Sequence, residues 1–418
     1  METVSRPSTI YSITKVLPRP KSFSSPIIII TAAIGCIALA LYIDVTHLVY
    51  YSLRPTTSFW VRLSRQITAE EFPAMSVPYL LRTLLLLTSS ALITWSIVLF
   101  SRKNSNRNHS IDIKAISKLS KTVFPERTQN VVLTIGTTLS IFFLLLFLVN
   151  PVAFNSLCLE DHPVETFSDV LQFLNCGIFI YIFILIRRSS LPRKGVYQSV
   201  VALFVIFFFL CAGEEVSWFQ RVLEIKTPGA FASNLQHEMN LHNFATHPLE
   251  NIYYFMSFAF LVFIPFVKER TPLLRESPVV SLFTPDGFVL LFSIPFVAYN
   301  YLNLNVFAAQ LSVGITFFVL LDLLRNRYRQ QTGFGWTTVM FLLFVTTQVL
   351  FLVFGKRMVR NFDEKEYKEM LIPLSYLVFT MGVVRKVKAL NRAMAVGNKP
   401  AVEVRLVYNA IKQEAVKG

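Results

Sequence analysis

The chain has 418 residues, 53% of them hydrophobic and 39 of them Phe, with a formal net charge of +15 and a mean hydropathy of +0.52. So apolar a composition excludes a water-soluble domain of this size and makes the chain a polytopic membrane protein. The basic excess sits in short segments flanking apolar runs, where bilayer orientation and anionic headgroups account for it, so nucleic-acid binding is excluded.

Taken in chain order, residues 1–26 form a Pro- and Ser-rich polar tail. Apolar runs then recur at 27–43, 77–100, 131–149, 167–186, 196–212, 252–267, 287–302, 306–324, 334–354 and 371–384. Each approaches or reaches the roughly 20 residues a helix needs to cross hydrocarbon. The fold class expected is therefore an all-α transmembrane helical bundle of about ten spans over residues 27–384, followed by a tail at 385–418. The first run contains Ala32-Ala33-Ile34-Gly35-Cys36, and it is read as an uncleaved anchor helix.

With both termini inside, the inner segments hold 29 of the 40 Lys and Arg, and 16 of the 25 acids lie outside. That asymmetry sets the N-in, C-in orientation. In the inner loop, residues 111–123 place Ile113, Ile116, Leu119 and Val123 opposite Lys114, Lys118 and Lys121. This pattern suits a helix on the inner leaflet or a solvated basic loop. The Asn108-His109-Ser110 sequon belongs to the same inner loop, where it stays unmodified. Three of the four cysteines lie in or at the end of apolar runs and Cys158 alone lies in an outer loop, so no disulfide framework is expected. Thr284-Pro285-Asp286 reads as a helix start, and Asn300, Asn303 and Asn305 mark a tight outer turn. Asp44, Arg82, Asp322, Gln310 and Gln348 are expected to act as polar links between helices.

The chemistry is concentrated in the outer block 213–251, directly behind the fifth run. Carboxylates, amides and imidazoles beside lipid must pair, bind an ion or meet a substrate. If the fifth helix continues past Glu215, then Glu214, Trp218 and Arg221 share one face, with Arg221 able to pair with Glu214. A turn follows at Thr227-Pro228-Gly229. A helix over 234–243 would place Glu238 and His242 one turn apart, a spacing that offers two ligands to one metal ion. His247-Pro248-Leu249-Glu250 reads as the start of the sixth span, and Glu160, Asp161 and Glu165 add acids to the same face.

At these positions the chain resembles a group of uncharacterised, mostly bacterial polytopic membrane proteins carrying Gly-Glu-Glu-x-Ser-Trp-x-Gln-Arg and then Asn-x-Gln-x-Glu-x-Asn-Leu-His-Asn. The matching residues are Gly213, Glu214, Glu215, Ser217, Trp218, Gln220 and Arg221, then Asn234, Gln236, Glu238, Asn240, Leu241, His242 and Asn243. The resemblance implies a multi-pass protein of a bacterial inner membrane and names no activity. A more distant likeness links the chain to the intramembrane proteases that process CAAX proteins and bacteriocins, through Glu214-Glu215 and His247-x-x-x-Asn251. Here Arg221 lies two residues beyond that family's spacing, and Glu238 stands where the family has Phe.

These readings lead to an outward-facing site in which Glu214, Glu215 and Arg221 are candidate catalytic residues. Trp218, Gln220, Asn240 and Asn243 are candidate substrate contacts, and Glu215, Glu238 and His242 are candidate ligands of a divalent metal ion. The expected activity is a metal-assisted hydrolase or transferase acting on a lipid or lipid-linked substrate. The alternatives are a transporter using the same carboxylates for ion coupling, and a membrane assembly or docking factor.

Overall fold

The computed structural model describes residues 26–53, 76–105, 124–159, 162–220, 223–231, 234, 238–271, 274, 277–301, 306–330, 335–360 and 363–395. The inner-loop segment 111–123, Glu160, Asp161, Arg221, Asn303 and Asn305 lie outside them.

Twelve helices are described. They are α1 (Pro26–Leu53), α2 (Ser76–Ser105), α3 (Glu126–Val149), α4 (Pro151–Leu157), α5 (Pro163–Arg187), α6 (Lys194–Glu215) and α7 (Thr246–Arg270). They continue with α8 (Pro278–Phe283), α9 (Gly287–Ala298), α10 (Phe307–Arg329), α11 (Trp336–Phe354) and α12 (Asp363–Ala395). Among the described residues nine helices are long and apolar enough to cross a membrane, and the structure is an all-α polytopic bundle.

The span expected over residues 287–302 is a shorter element. Helix α9 has 12 residues, about 18 Å of rise, and is buried almost all round. It needs no lipid-facing length because it is enclosed by other helices. It still runs from one end of the bundle toward the other. At its start Asp286 caps Val289 N at 3.2 Å, and Lys268 Nζ donates to Thr284 O and Pro285 O. At its end Gln348 Nε2 donates to Ala298 O and Asn300 O, and Tyr299 donates to Ser140 O at 3.0 Å.

Side-chain pairs connect helix ends in the pattern that alternating passes require. Arg82 pairs with Asp44 at 2.6 Å between α2 and α1, and Lys365 pairs with Glu250 between α12 and α7, both at ends expected outside. Arg270 pairs with Asp322 between α7 and α10, and Trp336 Nε1 donates to Asn130 at 2.8 Å, both at ends expected inside. Gln310 Nε2 donates to Thr83 Oγ1 at 3.1 Å, a link between α10 and α2.

Helix α12 is the central element. Pro373 cannot donate to Glu369 O, and that freed carbonyl accepts Ser168 Oγ of α5 at 3.4 Å. One turn on, Asn175 of α5 donates to Pro373 O at 2.9 Å and accepts from Thr380 Oγ1 at 2.9 Å. Beside this polar seam Phe179 stacks on Phe204 at 4.6 Å and 7°, joining α5 to α6. The four cysteines are free. Cys158 sits buried against Asn155 O, where burial first and the Asp363 charge second push its thiol up to about 12.

Candidate functional site

The helix expected to carry Glu214, Trp218 and Arg221 on one face ends at Glu215. Ser217, Trp218 and Phe219 then adopt φ of 47°, 54° and 62°, a run of left-handed backbone that turns the chain sharply. Non-glycine residues adopt this conformation at a cost, so the surroundings must hold it in place. They do so through Glu214, whose carboxylate accepts Trp218 Nε1 at 3.0 Å and Leu241 N at 2.5 Å. The indole lies over Gly213, where a Cβ would come within 2.7 Å of the ring, so glycine is required by close approach.

The helix expected over 234–243 is also absent where the chain is described. Asn234 and Glu238–Asn240 are non-helical, and His242–Phe244 form a single 3-10 turn. The side chains of this loop make the hydrogen bonds that a helix would have left to the backbone. Asn234 Oδ1 accepts Glu238 N at 3.1 Å, and its Nδ2 donates to Glu238 O at 2.6 Å and Asn240 O at 3.2 Å. Gln220 Oε1 accepts Met239 N at 2.5 Å while its Nε2 donates to Thr227 Oγ1 at 2.8 Å. Ser217 Oγ donates to Glu238 Oε2 and accepts Asn240 Nδ2 at 3.0 Å. Gln220, Asn234, Asn240 and Asn243 are all buried.

Most of the motif is therefore a cross-braced cap over the C-terminal end of α6. Glu214, Trp218, Gln220, Glu238 and Asn240 direct polar atoms at partners within this segment, with Asn240 Oδ1 left without a donor. The Glu238/His242 pair on a helix face is not formed, and the side chain of His242 is not among those described. Among the described residues no three His, Cys, Asp or Glu side chains are grouped to hold a metal ion.

Glu215 has a different environment. Successive helix residues point about 100° apart, so where Glu214 faces the cap, Glu215 faces the bundle. It is within electrostatic reach of Glu369, Asp169, Glu366 and Glu165, and it keeps partial exposure. Acids of α5 and α12 thus lie within electrostatic reach of Glu215 at the C-terminal end of α6. Polar side chains lie among these acids. Tyr254 donates to Glu369, and Lys365 pairs with Glu250 and approaches Glu369 at 3.8 Å. Gln172 Nε2 reaches Tyr253 Oη at 3.2 Å, and the buried Gln172 Oε1 has no hydrogen-bond donor.

Glu366 and Glu369 were outside the expected spans because residue 371 begins the apolar run. The signal was present, since positions 366 and 369 continue the face of 373, 376 and 380 backwards at helical spacing. No family model matches the sequence, and no curated protein and no solved structure matches it significantly.

Proposed function

We propose that the protein is a membrane-embedded hydrolase or transferase acting on a lipid or lipid-linked substrate, with the Glu215 carboxyl as its acid–base group. The observation that supports this reading is the division of labour between adjacent acids. Glu214 is consumed by two structural hydrogen bonds, whereas Glu215 stands partly exposed among carboxyls from three helices. A carboxyl held near other acids favours its protonated form, a property suited to donating a proton during bond cleavage. The exposed Leu223, Leu241 and Phe244 of the same block suit a substrate presented from the lipid interface. Glu238 is engaged with Ser217, so the proposal places the chemistry on Glu215 and leaves Glu238 in the cap.

The test compares lipid extracts, by mass spectrometry, from membranes containing the intact chain, Glu215→Gln or Glu214→Gln. A lipid species consumed or formed by the intact chain should be unchanged by Glu215→Gln present at equal abundance. Identical extracts from the intact chain and Glu215→Gln would overturn the reading. A second reading, an ion-coupled transporter, is favoured by the π turn Ala259–Phe263, which interrupts α7 just past Tyr254. It predicts that proteoliposomes acidify or alkalinise in response to an ion gradient, and that Glu215→Gln abolishes the flux.

A further inference from the structure

The hydrogen bonds of the cap account for its polar side chains and leave its exposed apolar ones to be explained. Leu203, Ile206 and Leu210 share one face of α6 at i, i+3 and i+7 and are exposed, so that face of the span meets lipid. Leu249, Ile252 and Met256 form the same kind of exposed stripe at the start of α7. Along the chain the cap continues both stripes. Phe219, Leu223 and Ile225 follow the first, and Leu241 and Phe244 lead into the second. Leu223 and Leu241 are 64% and 63% exposed, as open as Leu203 within the span at 66%.

Trp218 fixes the height of the cap against α6. The left-handed turn at Ser217–Phe219 sends the indole back over Gly213 and against Phe209, with ring centres 5.7 Å apart at 66°. Phe209 is exposed and precedes the helix end at Glu215 by six residues, about 9 Å of rise. The indole therefore lies below the end of the span, at the level where Trp favours the boundary between headgroups and acyl chains. Phe219 packs at the same turn on Phe173 of α5, at 5.7 Å.

A non-helical backbone at that depth cannot rely on water for its hydrogen bonds. The cap supplies them itself. The four amide N–H groups from Glu238 to Leu241 are taken in turn by Asn234 Oδ1, Gln220 Oε1, Glu238 O and the Glu214 carboxylate. Asn234 Nδ2 serves the carbonyls of Glu238 and Asn240. The exposed Glu224, Lys226 and Pro228 mark the part of the cap that meets headgroups and water.

We propose that the cap is seated in the lipid leaflet where α6 ends and α7 begins, with Leu223, Leu241 and Phe244 among the acyl chains and the turn at Pro228 at the headgroups. The partner is phospholipid, and the seating holds whether or not Glu215 carries out chemistry.

Photocrosslinking of the full chain in vesicles of phosphatidylethanolamine and phosphatidylglycerol tests this. Benzoylphenylalanine is placed singly at Leu223, Leu241 or Pro228, with Leu203 as the lipid-facing reference, and adducts are identified by mass spectrometry. These side chains are exposed, so each variant should keep the melting temperature of the unaltered chain. Phospholipid should attach at positions 223 and 241 in a yield comparable to that at 203 and several-fold above that at 228. Labelling at 203 with none at 223 and 241 would overturn the proposal and place the cap in water. Adducts to a second copy of the chain in place of lipid at 223 and 241 would also overturn it, and would assign the surface to self-association.

Discussion

At the scale of single residues, the neighbouring acids Glu214 and Glu215 differ because of helical geometry. One side chain meets the Trp218 indole and the Leu241 amide, and the other lies within electrostatic reach of four further carboxyls. Hydrogen bonds to charged groups contribute about 1.5–3 kcal/mol each, so removing the charge of Glu214 weakens two at once. Glu214→Gln and Glu238→Gln should each lower stability by roughly 1–3 kcal/mol, seen as a lower melting temperature and reduced yield. Glu215→Gln should leave the melting temperature unchanged or higher, because it removes a carboxyl that lies within electrostatic reach of other acids. A larger loss for Glu215→Gln than for Glu214→Gln would reverse the assignment of cap and working group. Both acids were recognisable in the sequence as costly beside lipid, but their separate roles depended on where α6 stops.

At the scale of elements, local rules were strongest where the backbone had one choice. Asp286 caps α9 at the position the Thr284-Pro285-Asp286 signal marked, and Pro248 falls in the first turn of α7 as expected. The helices expected through Arg221 and over 234–243 failed because Asn, Ser and Gln side chains compete with helical hydrogen bonds. In this loop they close on one another instead. The α1–α2 hairpin shows a further element-scale dependence. Arg82 is almost fully buried and its partner Asp44 is about one-third exposed. Asp44→Ala would leave a buried guanidinium without its carboxylate, and it should cost about 1–3 kcal/mol, less than a fully buried pair because Asp44 is reached by solvent. Asp44→Ala combined with Arg82→Met should recover most of that stability. A double variant no better than the single would show that the pair contributes little to the docking of α1 on α2.

At the scale of the whole molecule, the alternation of basic and acidic segments predicts both termini inside and the cap outside. A cysteine placed at Pro228 should react with a membrane-impermeant maleimide from outside. One placed at Asn108 should react only after permeabilisation. The opposite pattern would turn Glu215 and the cap to the inner face. Hydropathy by itself determined the class of the protein, an all-α polytopic membrane bundle. This property follows from the transfer of side chains between water and lipid, which each segment expresses alone. Tertiary structure decided that the pass at 287–298 is a short, enclosed helix and that the conspicuous motif is largely a brace. It also decided that Glu215 is joined by Glu165, Asp169, Glu366 and Glu369 from helices distant in the chain. No local pattern encodes that convergence, because it depends on how α5, α6 and α12 rotate about their axes when their buried faces pack.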